Sequence, residues 1–299
     1  MWFWFALIAL LCWSGSDLFS KIGCQNAEDR LSHLKMVIAV GLVMGIHAGY
    51  EIFVSRVPLN GSILLRYFPV SMLYILSMTI GYLGLRYIEL SISSPVCNSS
   101  GAIVAILSIV AFGISPDFPP LSLAAVGLVC IGVIFLGIIE AREDEEMRAA
   151  SDRRYTRSFL ALAIPIIYCL LDALGTFADS LVLENMNPDS ANAAYELTFF
   201  AAGAVCAVYV FAVKKEKINL RLTVPRLSGA VFETVGQFFY IRALADTEHV
   251  ALAAPMISAY CVVSVLWGRL FLKEKLSGRH YGAIALVVLG IIILGVFDI

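Results

Sequence analysis

Between Phe118 and Ile139 the chain carries no charged residue, and the same holds from Val250 to Gly268 and from Leu90 to Pro116. About 20 mostly apolar residues cross the hydrocarbon core as a helix. Inside lipid every backbone N–H and C=O needs an internal partner, so such runs are read as membrane-spanning helices. The apolar segments predict ten of them, at 2–20, 34–54, 65–86, 90–113, 119–139, 158–183, 191–213, 224–244, 248–270 and 279–297. Composition points the same way: 60% of residues are hydrophobic and 15% charged, where a soluble domain carries about 25% charged residues. The expected fold class is an all-α integral membrane protein, multi-pass, in the plasma membrane if the source is bacterial. Its surroundings are the lipid bilayer. A net charge of −2 gives no reason to expect nucleic acid as a partner.

The connections are short except for residues 140–157, a dense run of both charge signs that reads as a solvated loop or short surface helix. It divides the helices five and five. The two parts resemble each other. Ala125 to Ile138 aligns without gaps on Ala283 to Val296, and seven of the fourteen pairs are identical. Trp13 falls on Tyr168, Asp17 on Asp172 and Pro95 on Pro255, at offsets of 155 to 160. Matches in chain order at nearly one offset indicate an internal repeat. An odd number of helices per unit makes the repeat inverted, with its two-fold axis in the membrane plane. The expected organisation is a five-helix repeat over 1–139, a charged linker over 140–157 and a second five-helix repeat over 158–299.

Lys and Arg concentrate in the odd-numbered connections, which by the positive-inside rule puts both termini outside. The seven cysteines lie mostly in apolar runs and form no CxxC pair, so neither a disulfide frame nor a metal site is expected. Gly132, Gly137, Gly290 and Gly295 suit close helix packing, within each half or at a homodimer contact.

The residues that can carry chemistry are the polar ones inside spans. A carboxylate near mid-helix costs roughly 2.5–3.5 kcal/mol on insertion scales, and it is a functional-site hypothesis by default. Asp17 and Asp172 occupy the same repeat position. Each follows an aromatic by four residues, in Trp13-x-x-x-Asp17 and Tyr168-x-x-x-Asp172, which puts ring and carboxylate on one helix face. A carboxylate beside an aromatic face suits an organic cation. It equally suits a coupling proton, or a purely structural bond to a neighbouring helix. Glu233 shares a helix face with Gln237 and Tyr240. Glu196 lies about a turn into the seventh helix, where an interfacial position accounts for it as well as a functional one. Asn98 follows Pro95, and Tyr260 follows Pro255. A proline frees backbone carbonyls, which must face protein or a wet cavity.

Several stretches resemble the drug/metabolite transporter superfamily, in its ten-helix members with two EamA-type repeats. They are Cys12-Trp13-Ser14-Gly15-Ser16 in the first helix, Arg242-Ala243-Leu244 closing the eighth, and Gly268 to Ser277 closing the ninth. The first half departs from the pattern, since its fourth helix ends Ile114-Ser115-Pro116-Asp117 with no matching Glu. The resemblance implies a secondary transporter working by alternating access on a small-molecule substrate. It implies a central cavity lined by Trp13, Asp17, Tyr74, Asn98, Asp172, Glu233 and Tyr260, to which the residue-level reading adds Tyr168. It also implies cytoplasmic termini, against the charge count. Two other classes were weighed. A non-transporting receptor or scaffold usually carries longer loops or appended domains. An intramembrane aspartyl protease would use two carboxylates, but the Gly-x-Gly-Asp run of that class is absent, as is HExxH. No enzymatic activity, metal or cofactor is expected.

Overall fold

The computed structural model describes residues 1–26, 29–88, 90–113, 120–148 and 159–297. The expected end of the fourth helix at Ile114 to Asp117, and residues 149–157 of the linker, lie outside these. The helices are α1 (Trp2–Cys24), α2 (Ser32–Phe53), α3 (Gly61–Tyr87), α4 (Leu90–Asn98), α5 (Ser100–Phe112), α6 (Pro120–Arg148), α7 (Phe159–Leu183), α8 (Pro188–Ala207), α9 (Leu220–Leu244), α10 (Val250–Ser258), α11 (Tyr260–Trp267) and α12 (Gly278–Phe297). Short π-helical stretches, Val208–Val213 and Gly268–Leu272, extend α8 and α11. Among the described residues, nine helical stretches are long and apolar enough to cross a membrane, so this is a multi-pass helical membrane protein. The eighth expected span is α9, which is not among the nine. It carries Arg221, Arg226, Glu233, Gln237 and Arg242. Much of its polar side is covered by protein, because α9 packs on α1 and α2.

Two expected helices are broken. The fourth divides into α4 and α5 at Ser99, four residues past Pro95, and the ninth divides into α10 and α11 at Ala259, four past Pro255. Proline removes one bond from the ladder and its ring crowds the preceding turn. Side chains then compete for the carbonyls that remain. Asn98 Nδ2 donates to Ser94 O at 2.8 Å, and Ser99 Oγ to Pro95 O at 3.1 Å. The charged run after Glu140 is helical at its start, where α6 continues through it to Arg148, so that part takes the helical of the two forms expected for it.

Other features recur at the same spacing as the sequence matches. Asn60 caps α3 by accepting from Ile63 N, and Asn219 caps α9 by accepting from Arg221 N. A positive φ at Arg56 returns at Lys215, and one at Gly113 returns at Lys273. Helix α1 packs on α9 and α3 on α7, while α2 packs on α8, α5 on α10 and α6 on α12. Each of these five contacts joins a helix of residues 1–148 to a helix of residues 159–297.

The α6–α12 contact depends on glycine. A Cβ at Gly132 would lie 2.5 Å from Val287 Cγ2 and 3.1 Å from Ala283 O. One at Gly290 would lie 2.7 Å from both Val129 Cγ2 and Ala125 O. Gly137 faces Val96 and Gly295 faces Phe3. All four glycines pack against residues of this same chain; only Gly137 does so within its own half, and Gly132, Gly290 and Gly295 meet residues of the other. Gly290→Ala is expected to destabilise the protein by about 1–3 kcal/mol, the usual cost of overpacking, because a backbone carbonyl cannot move aside as a side chain can. Thermal unfolding in detergent measures it, and an unchanged midpoint would show that the helices part at little cost.

Candidate functional site: a carboxylate-lined cavity between the halves

Trp13, Asp17, Tyr74, Asn98, Tyr168, Asp172, Glu233 and Tyr260 all line one cavity. The sequence spreads them over six helices, and the packing of α1, α3, α7 and α9 with the two broken helices brings them together. Trp13, Asp17, Tyr168 and Asp172 are half-buried; Tyr74, Asn98, Glu233 and Tyr260 are buried.

Each carboxylate of the lining is held by serine. Asp17 Oδ2 accepts from Ser94 Oγ of α4 at 2.6 Å and from Ser264 Oγ of α11 at 2.8 Å. Asp172 Oδ2 accepts from Ser100 Oγ of α5 at 2.7 Å. Glu233 Oε2 accepts from Ser16 Oγ of α1 at 2.7 Å. The lining contains no Lys, Arg or His, so three carboxylates share the cavity without a protein cation. Among the described residues Asp17 and Asp172 are not held alike, because Asp17 has two hydroxyl donors and Asp172 one.

Aromatic rings make up much of the remaining wall. The Trp13 ring centroid lies 4.7 Å from that of Tyr240 and 5.8 Å from that of Tyr260. Tyr74 meets Tyr195 edge-on at 5.9 Å. Three buried polar atoms of the lining, Trp13 Nε1, Gln237 Nε2 and Tyr82 Oη, have no hydrogen-bond partner among the described residues. Buried polar groups are ordinarily satisfied, so these are free to bond whatever enters the cavity.

A fourth carboxylate sits behind the wall. Asp179 is fully buried on α7. It accepts from Tyr67 Oη at 2.8 Å and Tyr74 Oη at 3.3 Å. Tyr74 Oη is 2.5 Å from Tyr240 Oη, and Tyr240 donates to Thr176 Oγ1 at 2.9 Å. This chain of hydroxyls links Asp179 to the cavity. The sequence reading passed over Asp179, although Asp172, Thr176 and Asp179 share one helix face at i, i+4 and i+7. It also passed over the serine partners, which carry no signal of their own in an apolar run.

Residues 158–296 match the profile of the EamA-like transporter family. A solved crystal structure of another protein superposes on the chain with a TM-score of 0.62 at 17% sequence identity, covering 98% of this chain and 95% of the other. At that identity the likeness shows a shared fold. No curated protein matches the chain. Residues 158–296 of this chain are therefore similar to the EamA-like transporter family.

Proposed function

We propose that the chain is a secondary transporter for a small organic cation, in which residues 1–139 and 158–299 are inverted repeats that rock about the cavity between them. The observation that carries the reading is the charge balance of the cavity: Asp17, Asp172 and Glu233 line it, and no Lys, Arg or His does. An ionised carboxylate in a desolvated site is costly until a cation or a proton joins it. Asp172 and Glu233 each accept one hydroxyl where Asp17 accepts two, and of the Asp17–Asp172 pair Asp172 keeps the greater acceptor capacity and is the principal binding charge. Asp17 is its repeat-related partner. Aromatic faces add cation–π attraction of roughly 0.5–2 kcal/mol. The unpartnered donors Trp13 Nε1 and Gln237 Nε2 favour a cation that also bears a hydrogen-bond acceptor. Inverted repeats suit alternating access because exchanging the halves' conformations exchanges the open side. Asp17 and Asp172 bond serines from other helices, whereas a protease dyad shares a proton between its two carboxylates.

A thermal-shift screen of the purified chain against amines, quaternary ammonium compounds, amino acids and nucleosides tests this, because a ligand that binds only the folded state raises its midpoint. Organic cations should stabilise, and the shift should shrink as pH falls, since protons then compete for the carboxylates. Stabilisation by neutral or anionic compounds alone would overturn the cation assignment.

A further inference from the structure

Away from the cavity, α2 and α8 enclose a second polar cluster at one end of the bundle. Helix α2 ends at Phe53, α8 begins at Pro188 and α9 ends at Leu244, and the cluster lies within two turns or so of the first two of these ends. His47 Nδ1 is 2.8 and 2.9 Å from the two carboxylate oxygens of Glu196 and 4.0 Å from Glu51 Oε2. Glu196, which the sequence left undecided between interfacial and functional, is fully buried, and the Glu51 side chain is 5% exposed. His47 is 31% exposed and forms the way in.

We infer that His47, Glu51 and Glu196 form a binding site for a divalent transition-metal ion such as Zn2+, with Asn192 as a further oxygen ligand. One ligand atom from each of the first three residues lies within 4.8 Å of the others. A tetrahedral ion with ligands at about 2.0–2.2 Å holds them roughly 3.4 Å apart. His47 Nδ1 lies 2.8 Å from Glu196 and 4.0 Å from Glu51, on either side of that value, and the two carboxylates lie within 4.8 Å of each other, so modest side-chain movements suffice. Charge gives an independent argument. The neighbouring cation Arg242 is already paired with Asp189 and stacked on Phe238. That leaves two buried carboxylates with one imidazole between them, so even a protonated His47 cannot neutralise both. A divalent ion with a neutral imidazole does.

Asn192 supplies the second observation. It is fully buried. Its Nδ2 donates to Glu51 Oε2 and Glu196 Oε1, each at 3.1 Å, while its Oδ1 has no partner among the described residues. In this orientation the carboxamide serves the carboxylates and strands its own oxygen. Turned over, it would aim Oδ1 at two carboxylates, which is repulsive unless a cation sits between them. A metal ion there engages the stranded oxygen. Imidazole nitrogen with carboxylate and carboxamide oxygens is a donor set for Zn2+ or Mn2+ and not for a soft thiolate-preferring ion. An ion so placed would join α2 to α8, two helices whose backbones also approach closely where Gly41 meets Gly203.

The test is calorimetric titration of Zn2+ alone into the purified full-length chain after chelator treatment. The expected result is one saturable equivalent, with affinity at least tenfold weaker in His47→Gln and in Glu51→Gln. Both variants leave Glu196 in place should its removal prevent folding. Asp172→Asn should bind Zn2+ as the unmodified chain does, so the outcome is separable from that of the transport reading. Absence of saturable binding by the unmodified chain, or equal affinity in His47→Gln, would overturn the site.

Discussion

Asp172→Asn is expected to abolish saturable uptake of an organic cation into proteoliposomes while the protein stays folded. The substitution keeps the shape of the side chain. Ser100, which donates to Asp172 Oδ2 at 2.7 Å, can still donate to the amide oxygen. What is lost is the charge, and removing one member of a desolvated charge pair costs roughly 2–5 kcal/mol. At 1.4 kcal/mol per tenfold, affinity should fall by about 30-fold or more. The Tyr168 ring cannot compensate, because a cation–π contact contributes only about 0.5–2 kcal/mol. The pH dependence of binding should flatten too, since the group for which protons and substrate compete is gone. Asp17→Asn should have a smaller effect, because Ser94 and Ser264 already occupy that carboxylate. Unchanged uptake and unchanged pH dependence in Asp172→Asn would make Asp172 structural and turn the substrate assignment toward neutral or anionic solutes.

Asp29→Asn should give the largest loss of stability, about 3 kcal/mol or more, as expected when one partner of a buried ion cluster is removed. Asp29 lies between α1 and α2 and joins two cations. Lys35 Nζ is 2.9 Å from its Oδ1, and Arg226 Nη2 is 2.8 Å from its Oδ2. Arg226 also donates twice to Gly23 O at the end of α1. The cluster therefore holds the starts of α2 and α9 to the end of α1. With Asp29 neutral, Lys35 retains Glu216 at 3.3 Å and Arg226 retains a carbonyl, so two cations stay largely buried with one partly exposed carboxylate between them. Burial alone would raise the Asp29 pKa, but the hydrogen bonds and charges of Lys35 and Arg226 outweigh it and hold the group below its ordinary value. A carboxyl depressed on folding stabilises fully above its unfolded pKa of about 3.9 and loses that contribution as pH falls through the folded value. This part of the stability should thus be flat from pH 5 to 8 and absent in Asp29→Asn at every pH. Unfolding followed by tryptophan fluorescence measures both, and equal midpoints for the variant and the unmodified chain would show that the cluster contributes nothing net.

How much of this could be read from the chain differs from element to element. Asp17 and Asp172 stood out because an ionisable group inside a long apolar run has few explanations and the two share a repeat position. Pro95 and Pro255 marked both helix breaks, though not that each would fall four residues later, at Ser99 and Ala259. Tyr74 came from family resemblance, since a tyrosine in an apolar helix is unremarkable by itself. Asp179 was missed although its spacing from Asp172 was visible. Glu196 could not be placed, because hydropathy describes a segment and not what packs against it.

The sequence by itself determined the class of the molecule. Uncharged runs long enough to span a bilayer leave the backbone only one economical arrangement, and the recurrence of residues 155 to 160 apart is a property of the string. Tertiary structure alone decided which groups meet. Ser264 reaches Asp17 from 247 residues away, Ser16 reaches Glu233 from 217, and Glu196 reaches His47 from 149. A hydroxyl or a carboxylate acquires its role from the partner that burial forces on it, and no local pattern encodes a partner on another helix.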